Sequence, residues 1–147
     1  MSLKDWLKNG WLIEHRTSPQ EIKDLLSVVD RDLADSRASG LSPDGRLNIA
    51  YNASLQAAHA ALAACGYRSS RDAHHYRVIQ SLAYTIKADA MLIIQFDKFR
   101  KKRNIGGYER AGLVSNQEAE EMFSLAKRLR MDVEQWLHQY HPALLKK

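Results

Sequence analysis

Four residues near the end of a basic segment combine groups that bind phosphate with groups that exchange protons. They are Arg100, Arg103, Asn104 and Tyr108. A guanidinium suits phosphate because its planar fork donates two hydrogen bonds at once and keeps its charge. The amide can orient a ligand, and the phenol can supply a proton or a hydrogen bond. Three further cations, at Lys101, Lys102 and Arg110, extend the positive surface. This pattern predicts a site for RNA or a nucleotide.

The charge distribution allows a simpler interpretation of the same segment. From Lys98 to Arg110 there are six basic residues and one acidic residue, so the window carries +5 (6 − 1), equal to the formal net charge of the whole chain. A local patch of this kind attracts polyanions. Charge runs are also commonly solvated faces, with an arginine pairing a neighbouring carboxylate. The sequence leaves both interpretations open.

A helix must present these groups. Leu92, Phe96 and Phe99 recur at i, i+4 and i+7, which places them on one apolar face. Arg103 continues that spacing and therefore lies close to the same inward face. Asn104 and the glycines that follow tolerate left-handed backbone and weaken a helix. We expect the helix to end at Arg103.

Two polar residues in a buried helix complete the candidate site. The stretch from Leu47 to Ala64 is apolar or small almost all round, which is typical of a central helix. Tyr51 and Asn52 are the exceptions, and a buried phenol or amide needs a partner. They either brace the core or line the cleft. We favour bracing for Tyr51 and leave Asn52 open.

Other catalytic and metal-binding patterns are absent from the sequence. There is no nucleophile triad, no paired carboxylate motif and no phosphate-binding glycine loop. His59 is typical of a satisfied helix histidine, and the adjacent His74 and His75 point about 100 degrees apart on a helix. His138 and His141 lack a carboxylate or thiolate to complete a site. We predict no metal and no cofactor.

The helix signals give the fold class. Serines at positions 18, 42 and 115 each open a helix, and Pro142 ends the last one. No stretch alternates with β-branched enrichment, so we predict no strand. The expected fold is all-α, an up-and-down bundle of four main helices plus short ones. One domain spans 1–147, with residues 1–16 as an N-terminal docking segment and 18–141 as the bundle.

Composition sets the expected location. Cys65 is the only cysteine, which excludes an internal disulfide and is typical of a reducing compartment. Charges interrupt every apolar run near the N-terminus, so we expect no signal peptide. No segment reaches the length that crosses a membrane. We expect a cytoplasmic protein.

Most of the chain resembles the HEPN domains of prokaryotes and eukaryotes. The similar segments, in the family's order, are Leu47 to Ala53, Gly66-Tyr67, His74-His75 with Val78-Ile79, Arg100 to Tyr108, and the Ser115-led helix with Ala119-Glu120. The resemblance implies a helical bundle that dimerises and brings two Arg-containing motifs together. Many members are metal-independent ribonucleases of toxin or defence systems. Others pair with a small nucleotidyltransferase or bind nucleotides without cleaving.

One position departs from the ribonuclease pattern of this family. Those members carry a histidine five or six positions after the motif arginine, whereas here Tyr108 follows Arg103. A phenol with a pKa near 10 is a poor base at pH 7 compared with an imidazole near 6.5. Among the members that pair with nucleotidyltransferases, a tyrosine near the motif can accept a nucleotide. The resemblance therefore makes Tyr108 a candidate target as well as a candidate catalyst.

Two hypotheses of different classes follow. In the first, the chain is the HEPN component of a toxin–antitoxin or defence-type system that binds RNA or nucleotide at Arg-Asn-x3-Tyr, with metal-independent cleavage assigned to Arg103, Asn104 and Tyr108. In the second, it is a non-catalytic interaction module that binds a nucleotidyltransferase or a nucleotide. A structural bundle without a functional groove is a third interpretation. A homodimer is expected in either functional case.

Overall fold

A computed structural model describes residues 1–71, 74–106 and 114–146, and the side chains of 104–106 lie outside the described part. Within these ranges the chain forms six α-helices, one two-stranded sheet and a terminal 3₁₀ turn. In chain order the elements are α1 (Leu3–Lys8), β1 (Leu12–Glu14), α2 (Pro19–Asp35), α3 (Pro43–Ala64), β2 (Tyr67–Ser69), α4 (His74–Ser81), α5 (Ala90–Gly106), α6 (Asn116–Tyr140) and the 3₁₀ turn Pro142–Leu145. The predominantly helical fold class is confirmed.

Helix α3 is the centre of the molecule. It packs against α2, α4, α5 and α6. Its alanines from Ala57 to Ala61 are fully buried, and side chains this small let neighbouring helices approach closely. Leu47 and Leu62 are also buried, so the predicted all-round burial of this helix is confirmed. The residues of α3 that face α4 and α5 are therefore held by a rigid element.

The predicted helix starts are confirmed in atomic detail. The hydroxyls of Ser18, Ser42 and Ser115 accept hydrogen bonds from the backbone N–H groups three residues later, at 3.1, 3.0 and 3.0 Å. Glu118 also accepts from the Ser115 N–H at 3.0 Å, which completes a capping box. Satisfied N–H groups at these ends fix where each helix begins.

Several helix ends differ from the sequence prediction. Helix α2 ends at Asp35 rather than near Ser39-Gly40, because the Ser36 hydroxyl bonds back to the Leu33 carbonyl at 2.8 Å and the chain continues in turns. Helix α4 stops at Ser81, although Leu82 beyond it is buried as expected. Helix α5 continues to Gly106, three residues past the predicted end. Ends are set by local hydrogen bonds that periodicity does not record.

The prediction that the chain contains no strand is wrong. β1 and β2 pair antiparallel, with Leu12 opposite Ser69 and Glu14 opposite Tyr67. Strands of three residues are too short to show the alternation of apolar and polar residues, and the two strands are more than fifty positions apart in the sequence. Gly66, with φ of +94°, turns the chain from α3 directly into β2. The predicted polar link after Gly66 therefore contains a strand.

The N-terminal segment packs on the body through this small sheet. Trp6 and Leu12 are 4% and 2% exposed and contact Leu62 of α3. The apolar spacing of residues 3–12 favours a short amphipathic helix, but α1 is only six residues long, because the chain turns at Gly10 with φ of +78° and enters β1. Across the part of the chain that the structure describes, no helix has both the length and the apolar character required to cross a membrane.

Candidate functional site

The inward face of α5 delivers Arg103 to an aromatic ring of α3. Leu92, Phe96 and Phe99 are at most 4% exposed, as their spacing predicts. Continuing that face by four residues places the Arg103 guanidinium carbon 5.0 Å from the centre of the Tyr51 ring. A cation over an aromatic face is stabilised by the ring quadrupole. The structure therefore places Arg103 close to the inward face of α5, as its spacing predicts.

Tyr51 connects this arginine to a histidine of α4. Its ring is 1% exposed and packs edge-on against Phe96, with ring centres 5.6 Å apart. Its hydroxyl lies 3.1 Å from Nδ1 of His75, within hydrogen-bond distance. Tyr51 therefore packs in the core, as favoured from the sequence, and its hydroxyl bonds to the imidazole of His75.

The electrostatics of this cluster keep both groups uncharged near neutral pH. Burial lowers the pKa of His75 from its usual 6.5, and the positive charges of Arg103, His74 and Arg100 lower it further. Burial raises the pKa of Tyr51 to about 12, although Arg103 and Arg100 act in the opposite direction. Both groups are therefore neutral near pH 7, and they share the hydrogen bond between the Tyr51 hydroxyl and Nδ1 of His75.

The remaining predicted cations of α5 have acidic partners. Arg100 Nε donates to Asp97 Oδ1 at 2.7 Å, and Lys101 Nζ lies 3.6 Å from the other oxygen of Asp97. Lys102 Nζ lies 3.4 Å from Glu118 at the start of α6. This is the arrangement that the simpler interpretation of the basic segment describes. Arg100 nonetheless remains close enough to His75 to affect its pKa.

A second layer of histidines lies behind His75. The ring centres of His74 and His75 are 5.5 Å apart, and those of His59 and His74 are 5.0 Å apart. The His74 Nδ1 is hydrogen-bonded to the Ser69 hydroxyl of β2. Burial and the two neighbouring histidines lower the pKa of His59 to about 4. Among the described residues, no set of three or more His, Cys, Asp or Glu side chains is arranged to hold a metal ion.

The other predicted site residues are not brought into this cluster by the described structure. Asn52 donates to Asp32 of α2 at 2.7 Å, so its side chain faces the contact between α2 and α3. Asn104 lies in the last turn of α5, but its side chain is outside the described residues. Tyr108 and Arg110 also fall outside them. Their catalytic and RNA-binding assignments stay predictions.

His75 was not among the predicted site residues. Its position beside His74 was considered for metal binding and its segment is similar to HEPN domains, whereas the acid–base group was expected after Arg103. The pairing of His75 with Tyr51 joins residues 24 positions apart. The sequence indicated only that Tyr51 and His75 each lie on a helix with apolar residues. It did not indicate which faces of the two helices are in contact.

A separate cleft of about 680 Å³ lies between the turn after α4 and the end of α6. None of the predicted site residues lines it. Three of its charged side chains form exposed ion pairs, because Arg128 lies 3.5 Å from Asp89 and 3.6 Å from Asp132, and Lys87 also lines it. Exposed pairs of this kind contribute little to binding or stability. This cleft does not support the predicted chemistry.

Comparison with known proteins identifies no family: no family model, no curated protein and no solved structure matches this chain.

Proposed function

We propose that this protein is the HEPN component of a toxin–antitoxin or defence-type system and that it binds and cleaves RNA without a metal ion. The observation that carries the proposal is His75, held by Tyr51 at 3.1 Å and electrostatically coupled to Arg103 and Arg100. An unprotonated imidazole beside a guanidinium combines a base with a phosphate-binding group. In this proposal His75 supplies the imidazole that the sequence lacks at position 108.

The chemistry of the proposal is an internal transesterification. In the tautomer of His75 whose Nδ1–H donates to the Tyr51 hydroxyl oxygen, Nε2 accepts the proton of the ribose 2′-hydroxyl and later returns it to solvent, and the 2′-oxygen attacks the adjacent phosphorus. The bond to the 5′-oxygen breaks, and that oxygen takes a proton from solvent, leaving a 2′,3′-cyclic phosphate and a 5′-hydroxyl end. Arg103 stabilises the negative charge that develops on the phosphate oxygens. No metal is required for any of these steps.

The test uses RNA in the presence of EDTA, with a matched pair of arginine variants. Arg103→Ala removes the proposed phosphate contact. Arg37→Ala removes a guanidinium that also lies over a ring, 4.5 Å from Phe123, but is bonded to Glu120. We expect cleavage by the wild type and Arg37→Ala, and loss of at least about tenfold in rate for Arg103→Ala. Intact RNA after incubation with folded wild-type protein would overturn cleavage.

Binding without cleavage would instead favour the non-catalytic alternative. In that case the same cluster would serve as an interaction module for a nucleotidyltransferase or for a nucleotide. Titrating labelled RNA into the wild type and Arg103→Ala separates these results, because an RNA site requires weaker binding by the variant. A cytoplasmic location accompanies the proposal, since an RNA substrate and a single cysteine suit a reducing interior.

We also propose that the protein acts as a homodimer through α5. Met91 and Ile94 are 69% and 61% exposed on the helix that carries Arg100 and Arg103. Neighbouring exposed apolar side chains are a common feature of interfaces. Sedimentation should give a dimer for the wild type at micromolar concentration and a monomer for Ile94→Glu. A monomeric wild type would overturn the shared cleft.

A further inference from the structure

An exposed tyrosine lies next to the proposed catalytic histidine. Tyr76 follows His75 in α4, and its side chain is 37% exposed. The guanidinium carbons of Arg77 and Arg100 each lie 5.5 Å from the centre of its ring. Arg100 is also one of the arginines whose charge lowers the pKa of His75. Tyr76 therefore lies next to the proposed site and contacts two cations, of which Arg100 is also bonded to Asp97.

Aromatic and cationic groups continue beyond Tyr76 toward the N-terminal segment. The Arg77 guanidinium carbon lies 3.6 Å from the centre of the Trp11 ring and 5.5 Å from that of Trp6. The order across the surface is Trp11, Arg77, Tyr76 and Arg100. Stacking against three aromatic rings restrains Arg77 and reduces the entropy it loses on binding.

Surfaces that combine aromatic and cationic side chains suit single-stranded nucleic acid. Its bases are free to stack on aromatic rings while its phosphates contact neighbouring cations. A duplex keeps its bases stacked on one another and presents only its backbone and groove edges. A base stacked on Tyr76 would place the adjoining phosphate near Arg100, whose guanidinium donates Nε–H to Asp97 and carries further N–H donors.

We propose that Tyr76, flanked by Arg77 and Arg100, is a base-stacking subsite that selects unpaired RNA and positions the phosphate next to it for His75. This inference rests on the proposed function, because it assigns a substrate class to the same site. It adds a role for α4 that the basic segment of α5 does not imply. Tyr76 is here a positioning residue rather than a catalytic one.

The experiment measures fluorescence anisotropy of labelled oligouridine at one fixed salt concentration, with a base-paired RNA of equal length as competitor. Tyr76→Leu removes the ring and keeps an apolar side chain, and Tyr76→Trp keeps a stacking surface. Tyr140→Leu is the matched control, because Tyr140 is another exposed tyrosine, 62% exposed, near the end of α6. Circular dichroism and thermal melting verify that each variant is folded.

We expect Tyr76→Leu to weaken oligouridine binding by about five- to a hundredfold, the range that one base stack contributes. Tyr76→Trp should bind within about twofold of the wild type, and Tyr140→Leu should be unchanged. The paired RNA should compete poorly. If Tyr76→Leu binds like the wild type while Arg103→Ala loses binding, the subsite is wrong and the RNA site stands. If the wild type binds neither RNA, the subsite and the proposed function both fail.

Discussion

Two arginines of this protein make the same ring contact and have different surroundings. The guanidinium carbon of Arg37 lies 4.5 Å from the centre of the Phe123 ring, and that of Arg103 lies 5.0 Å from the centre of the Tyr51 ring. Arg37 also donates to both oxygens of Glu120 at 2.8 Å, and Arg46 donates to the same carboxylate at 3.0 Å. Arg103 lies instead beside His75, which is uncharged near neutral pH.

This difference in partners distinguishes Arg37, which is bonded to a carboxylate, from Arg103, the proposed phosphate-binding residue. Around Glu120, two guanidinium groups face one carboxylate and tie the loop after α2 and the start of α3 to α6. Tyr51 and His75, which lie close to Arg103, both favour their neutral forms. Neither of these two groups neutralises the guanidinium charge. The partners of an arginine, more than its ring contact, indicate its role.

The largest expected effect is on catalysis at His75. His75→Asn removes the base but keeps a polar side chain, so cleavage in EDTA should slow by about a hundred- to ten-thousandfold. Binding of oligouridine should change by less than about threefold, because the phosphate contact to Arg103 remains. Rates and affinities should be measured on the same preparation. A rate close to that of the wild type would show that His75 is not the base.

The next effect is on stability at His59, behind the same cluster. The pKa of the His59 imidazole is about 4 in the folded state, against the ordinary value of 6.5 that it has in the unfolded chain. The unfolded state therefore binds more protons between these values, so stability is fully present above pH 6.5 and falls as the pH drops toward 4. The full difference corresponds to roughly 3 kcal/mol. Urea unfolding of the wild type should show this loss, and His59→Leu should show much less. If the free energy of unfolding fell with pH in the same way for the wild type and His59→Leu, His59 would not be buried as a neutral imidazole.

A smaller effect is expected from the hydroxyl that joins Tyr51 to His75. Tyr51→Phe keeps the ring under Arg103 and against Phe96 but removes the hydrogen bond at 3.1 Å. We expect a loss of about 1 kcal/mol in the free energy of unfolding. RNA affinity should be nearly unchanged, while the cleavage rate falls because the imidazole is no longer held. An unchanged cleavage rate would show that the Tyr51 hydroxyl does not orient His75.

The smallest effect should come from the structural arginine network. Glu120 lies on the surface, and its pKa is lowered mainly by the hydrogen bond from Arg37. Stability from this carboxylate is present above its ordinary pKa of 4.5 and is lost as the pH falls below it. Glu120→Gln should therefore change the denaturation midpoint at pH 7 only slightly, as is usual for exposed pairs. It should leave RNA binding unaltered. A marked loss of binding would move the RNA site toward this network.

Local patterns in the sequence were sufficient to predict the helical class and the central place of α3. Serine caps at positions 18, 42 and 115 are local, because the hydroxyl and the N–H that it accepts from are three residues apart. The 3.6-residue period of the helix explains the burial of Phe96 and Phe99, and it also explains the inward position of Arg103. Short strands gave no such signal, since β1 and β2 are stabilised by pairing with each other.

The sequence by itself determined which side chains share a helix face, because that depends only on the 3.6-residue period. It therefore placed Arg103 inward. Only the tertiary structure decided which face of α4 meets α3, and so that His75 lies against Tyr51. The same packing placed Asn52 against Asp32, away from the arginine face. Contacts between helices depend on how their surfaces fit together, and no local pattern records that fit.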